Sequence, residues 1–253
     1  MQRGYFQFVL IALFIIGGLS SCGSNKKLIG QQTDSPAEIN AKLGLQYLRQ
    51  GKFDVAKDKL EKALEYDSEL VIAHHYIAEL YRQQGNNKRA EEHYGIALDL
   101  EPGDAALQNN FGVFLCEQGQ YLDAEKRFLK AINNTDYTKK HEAYENAGLC
   151  TLRIPDVEKA ESYFRQALKI NGKLPNSLFQ LAQINFDKGD YLRARAFIQR
   201  YSAVARQSAR SLWLGIKIEQ KLGGSEILES YSSQLLDQFR DSKEAQMLRE
   251  SQK

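Results

Sequence analysis

Gln50-Gly51-Lys52-Phe53-Asp54-Val55-Ala56-Lys57-Asp58-Lys59-Leu60-Glu61-Lys62-Ala63 decides the fold. Its glycine is the residue that closes one helix in a left-handed conformation at no steric cost. Asp54 stands where a carboxylate favours the start of the next helix. Ala56, Leu60 and Ala63 then fall at i, i+4 and i+7, which is one helix face. The arrangement recurs at a spacing of about 34 residues. Ala56 is followed by Ala90, Ala124, Ala160, Ala194 and Ile227, Leu60 by Tyr94, Phe128, Phe164, Ile198 and Tyr231, and Ala63 by Ala97, Ala131 and Ala167. A second series of small residues, Gly44, Ala78, Gly112, Gly148, Ala182 and Gly215, runs ahead of the first. A missing side chain, or a methyl alone, lets two helix backbones approach, and a Leu or aromatic ring fills the space beside them. The chain is a helical repeat array.

The same turn signal returns at Gln84-Gly85-Asn86, Gln118-Gly119-Gln120, Lys188-Gly189-Asp190 and Leu222-Gly223-Gly224. Each unit therefore reads helix, tight turn, helix, and the pattern resembles the tetratricopeptide repeat. That resemblance implies an all-α, right-handed superhelical solenoid of about six repeats. The units fall at 37–70, 71–104, 105–138, 141–174, 175–208 and 208–240, one domain over 37–240 followed by a C-terminal tail, 241–253. The fourth unit is displaced by two residues, as a longer loop around 136–140 requires, and has Ile154-Pro155-Asp156 in place of a glycine turn. Tyr201 replaces the small residue of the fifth unit, and the sixth is worn, as a terminal unit with one solvent face tends to be.

With 43% hydrophobic and 26% charged residues the composition is that of a folded globular chain. A formal net charge of +2, with no basic stripe interleaved with aromatics, argues against a nucleic-acid partner.

Residues 8–16 are uninterruptedly apolar, too short a run to span a bilayer, which takes roughly 20 residues, so 1–21 reads as a signal peptide. Leu19-Ser20-Ser21-Cys22 resembles the bacterial lipobox, which implies cleavage before Cys22 and lipidation of that residue. Gly23-Ser24 after the cysteine, with no aspartate there, favours sorting to the outer membrane. Residues 22–36 then form a polar tether, and the repeats face the periplasm on a lipid anchor. Cys116 and Cys150 lie in the first helices of neighbouring units, in a compartment that permits disulfides. Their places within the unit differ by two residues, so a disulfide and two buried thiols both stay open.

No constellation for catalysis is present. His74 and His75 are adjacent and point about 100° apart on a helix, and His141-Glu142 lacks the second histidine of a zinc site. His93 has no partner at helical spacing. There is no nucleophile elbow, phosphate-cradling glycine loop or CxxC pair, so no enzyme activity, cofactor, metal or small-molecule substrate is expected. Function then lies in a surface. Stacked repeats expose their first helices on the concave side, which puts His75, Glu79 and Arg82, then Asn109, Val113 and Glu117, then Glu145, Leu149 and Leu152, then Phe179, Gln183 and Phe186 in a groove suited to a peptide segment. Asn109-Asn110 is unusual in a helix, and asparagine amides suit hydrogen bonds to an extended peptide backbone, Asp104 already serving as the helix cap.

Three stretches carry a narrower resemblance. They are Asn109-Asn110-Phe111-Gly112 with Phe114-Leu115-Cys116, then Tyr144-Glu145-Asn146-Ala147-Gly148-Leu149-Cys150, and Ala209-Arg210-Ser211-Leu212-Trp213-Leu214-Gly215. With the lipobox they are similar to the type IV pilus biogenesis and stability lipoproteins, the PilF/PilW pilotins, over nearly the whole chain. The resemblance implies an outer-membrane lipoprotein that binds the secretin PilQ, promotes its localisation, multimerisation or stability, and so supports pili and twitching motility. It also implies a disulfide between Cys116 and Cys150, which match the family's cysteine pair. The alternative is a periplasmic repeat scaffold that recruits other cell-envelope machinery.

Overall fold

The structure is a computed structural model that describes residues 34–154 and 156–251. The signal peptide, Cys22 and most of the tether, and Pro155, lie outside the described residues. The unit Ser35–Lys253 is a run of antiparallel helix pairs with no strand among the described residues. They are α1 (Pro36–Arg49) with α2 (Phe53–Tyr66), α3 (Val71–Gln83) with α4 (Asn87–Leu100), α5 (Ala105–Glu117) with α6 (Tyr121–Asn133), α7 (Lys140–Thr151) with α8 (Val157–Ile170), α9 (Pro175–Asp187) with α10 (Tyr191–Val204), and α11 (Ala209–Leu222) with α12 (Ser225–Gln238). A thirteenth helix, α13 (Lys243–Ser251), follows.

The small-residue series does what close packing asks of it. A Cβ placed on Gly112 would stand 2.7 Å from the ring of Phe128, one on Gly148 2.7 Å from Phe164, and one on Gly215 2.6 Å from Tyr231. Phe128 and Phe164 are fully buried between the helices of their pairs, so neither ring has room to retreat. Five turn glycines, Gly51, Gly85, Gly119, Gly189 and Gly223, all have positive φ of 71–78°. The loop 134–139 before α7 is two residues longer than the other links between units, which accounts for the displaced fourth unit.

Several helix starts, though not all, are capped by local side chains. Ser35 and Glu38 form a reciprocal capping box, with the Glu38 N–H on Ser35 Oγ at 3.2 Å and the Ser35 N–H on Glu38 Oε2 at 2.8 Å. Residues 35 and 36, read from sequence as the tether's end, thus belong to the fold. Asp104 caps α5 through the Leu107 N–H, and Asp156 caps α8 through the Lys159 N–H. Tyr201, out of pattern in sequence, packs edge-on against Phe179.

Residues 241–251, which fall in the expected tail 241–253, are not a plain tail. α13 buries Ala245 and Leu248 against Leu212 and Ile216 of α11 and Leu235 of α12. It takes the place that the first helix of a seventh unit would occupy and covers the apolar end of the array.

Candidate functional site: a groove lined by the first helices

Successive first helices pack backbone to backbone at α1/α3, α5/α7, α7/α9, α9/α11 and α11/α13, and α3 is tied to α5 through Arg82–Glu117 and His75–Asn110, whereas second helices meet through longer side chains, as where Glu125 of α6 holds Lys159 and Tyr163 of α8. The array therefore bends with its first helices inside, and they line a groove. A depression of about 320 Å³ between α1, α3 and α5 is bordered by Leu45, Arg49, Tyr76, Glu79 and Asn110. A second, about 140 Å³, lies between α5 and α7 and is bordered by Val113, Glu117, Asn146, Leu149 and Arg153 beside the cysteines.

Over its first half the groove is occupied by the protein's own polar groups. His75, on α3, accepts from Asn110 Nδ2 at 2.9 Å, Asn109 Nδ2 donates to Asn110 Oδ1 at 3.2 Å, and Asn109 Oδ1 accepts from Asn146 Nδ2 of α7 at 3.0 Å. This chain of side chains ties three units together. Burial pushes the His75 pKa down, against the opposing pull of Glu79 and Asp104, so the ring stays neutral and presents the lone pair that Asn110 needs. Asn109 is itself buried at 4% exposure, which corrects its reading as a peptide contact: its amide is spent between units. Asn110, half-buried, serves the same clasp.

The carboxylates are similarly engaged. Arg82 bonds Glu79 at 2.9 Å and Glu117 of the next unit at 2.8 Å, and Glu79 also accepts from the Tyr94 hydroxyl. Burial of Arg82 disfavours its charge, but Glu79 and Glu117 outweigh this and hold its pKa above the ordinary value. Glu145 reaches forward from α7 to the start of α9, where it accepts from the Ser177 N–H at 3.0 Å, Ser177 Oγ at 2.6 Å and Asn176 Nδ2 at 3.1 Å. Leu174, the residue before α9, offers no side-chain cap, so Glu145 supplies one from the neighbouring unit.

Val113, Leu149 and Leu152 remain as half-buried apolar floor, with Phe186 further along. Gln183 lies half-buried between them and donates to Asp187 at 2.8 Å. Phe179 is buried at 9% exposure beneath Arg210, so it is floor rather than a free contact. Cys116 and Cys150 are joined in a disulfide with Cα atoms 5.8 Å apart. The two-residue offset in sequence does not prevent the bond.

Two arrangements escaped the sequence reading. His74 and His93, on α3 and α4, meet at 3.1 Å between their Nδ1 atoms, with His74 Nε2 on the Ser68 carbonyl at 3.0 Å. Their separation of 19 residues spans a turn, so no helical spacing signals it. On α11, Arg210 and Lys217 lie over the rings of Phe179 and Phe186. That pairing joins separate units and has no counterpart in a one-unit pattern. Among the described residues no three His, Cys, Asp or Glu side chains converge as metal ligands, and no helix is long and apolar enough to cross a membrane.

Comparison with known proteins places this geometry. The tetratricopeptide repeat family model matches residues 42–105, 77–137 and 112–176. A type IV pilus assembly protein, PilF of Pseudomonas aeruginosa, is 31% identical over 226 residues, covering 89% of this chain and 90% of that protein. The solved structure of Pseudomonas aeruginosa PilF superposes with a TM-score of 0.79 at 31% identity, covering 85% of this chain and 97% of the other. That of PilW, described as a widely conserved type IV pilus biogenesis factor, gives 0.75 at 28% identity over 85% and 99%.

Proposed function

Because the chain belongs to the tetratricopeptide-repeat family of type IV pilus biogenesis proteins, we propose that it is the pilotin of a type IV pilus secretin. It acts as an outer-membrane lipoprotein, held through lipidated Cys22 and facing the periplasm. It binds a segment of the secretin PilQ in the groove and promotes that secretin's localisation, multimerisation or stability, on which pili and twitching motility depend. The observation that carries this reading is the match to PilF along nearly the full length of both chains. The site supports a binding role: its buried polar groups are paired within the protein, and its open part is an apolar floor with polar edges. Such a surface holds a chain segment and has no group poised for bond making.

Deleting the gene and following secretin multimers on a gel tests the proposal. Heat-resistant multimers are expected to diminish and to return with the intact gene. Undiminished multimers in the outer membrane would remove the pilotin reading and leave the envelope scaffold. Restoring the strain with Cys22→Ala is expected to yield folded repeats released from the membrane, because Cys22 precedes in sequence the capped start of α1.

A further inference from the structure

The chain's small net charge conceals a division along the array. Residues 34–152 hold fourteen Lys or Arg and twenty Asp or Glu, a formal −6, whereas residues 153–222 hold thirteen and six, a formal +7. Beyond a Debye length of roughly 10 Å the two ends do not cancel, so a partner lying in the groove meets the local sign.

The groove repeats this division at the level of single side chains. At its first end Glu79 and Glu117 share the single Arg82, which leaves that cluster a formal −1, and Glu145 is turned onto the start of α9. From α7 onward the balance reverses. Arg153 borders the depression beside Leu149, Arg210 lies with its guanidinium 4.9 Å from the Phe179 ring centroid, and the Lys217 ammonium is 4.7 Å from that of Phe186. None of the three has a carboxylate within ion-pair reach among the described residues. The local acids are otherwise engaged: Glu219 is buried with Arg195, Asp190 caps α10 and pairs with Arg193, and Asp187 accepts from Gln183. A cation laid on an aromatic face is fixed in position and keeps its outward N–H groups for an anion. Arg210, Trp213 and Lys217 follow one another at i, i+3 and i+7, so an aromatic ring separates the two charges along one face of α11.

Resting on the reading of the groove as the partner's seat, we infer that its stretch from α7 to α11 takes an acidic, extended segment of the partner. Carboxylates of that segment pair with Arg153, Arg210 and Lys217, and its apolar side chains pack on Leu149 and Phe186.

The test uses the full mature chain and three fluorescent peptides of one length: an Asp/Glu-rich peptide with interspersed Leu, its Asn/Gln counterpart, and a Lys-rich version. The acidic peptide is expected to bind at least about tenfold more tightly than the other two, with affinity falling as salt rises. The pair Arg210→Gln and Lys217→Gln is expected to weaken it about tenfold, while Arg165→Gln with Arg200→Gln, the same charge change around Phe197, leaves it within about twofold. Equal binding of the three peptides, or equal loss from both double variants, would overturn the inference. So would selective binding of phosphatidylglycerol vesicles, lost in the Arg210/Lys217 variant, without peptide binding, which would make the surface a membrane contact. Secretin capture distinguishes the two proposals. Peptide selectivity without secretin capture would sustain the acidic groove and count against the pilotin reading, and secretin capture undiminished by Arg210→Gln with Lys217→Gln would do the reverse.

Discussion

Gly112 and Gly95 are both helical glycines, and they demand opposite treatment. At Gly112 a methyl would collide with Phe128, a ring sealed between α5 and α6, and overpacking of this kind costs about 1–3 kcal/mol. At Gly95, inside α4, nothing stands within 4 Å of an added Cβ, so alanine gains about 0.5–1 kcal/mol of helix propensity. Gly112→Ala is expected to lower the denaturation midpoint and Gly95→Ala to raise it; equal effects would refute the close-approach reading. The histidines give a second expectation. Burial lowers the pKa of His75 and of His93, the latter helped by His74 and Arg89 and opposed by Glu92, so both have folded values below 6.5. Folded protein then binds fewer protons than unfolded chain as pH drops through 6.5, and stability present above that pH is lost below it. Melting temperature is expected to fall between pH 7.5 and pH 5 by less in a His75→Gln, His93→Gln variant than in the parent. The glycines were legible because only glycine meets their steric demand, whether a positive φ at Gly51 or a touching ring at Gly112. Asn109 and Glu145 were not, because their partners Asn146 and Ser177 sit in the next unit and no local rule names them.

At the scale of elements, the repeating helix pair was fully written in the spacing of alanines and aromatics, and the thirteenth helix was not. α13 has only Ala245 and Leu248 to bury, too sparse a pattern to stand out, and its helix is defined by the end of the array that it covers. In a stack of units each touching its neighbours, damage at an end stays local. Leu248→Ala removes a side chain that is 1% exposed and is expected to cost about 2–5 kcal/mol there. Hydrogen exchange is expected to accelerate in α13 and the adjoining part of α11 while α5 to α8 keep their protection; uniform acceleration would mean that the array unfolds as one unit. The disulfide works at the same scale. Its cysteines are 34 residues apart, and closing such a loop contributes about 4 kcal/mol in the chain-entropy account, joining α5 to α7 near their C-terminal ends.

For the whole molecule, curvature decides what can be offered to a partner. First helices that pack on one another make a continuous inner surface, and the self-paired polar groups of its first half give way to apolar floor and unpaired cations in its second. That inner surface was located from sequence by counting along the helices, but which of its residues are open could not be, because exposure depends on what the neighbouring unit takes. The central claim is that this inner surface holds the secretin. A photo-crosslinking amino acid placed in cells at Leu149, on the groove floor, is expected to yield an adduct containing the secretin. The same group at Leu192, 68% exposed on α10, is expected to yield none. Secretin adducts from Leu192 and not from Leu149 would contradict the account.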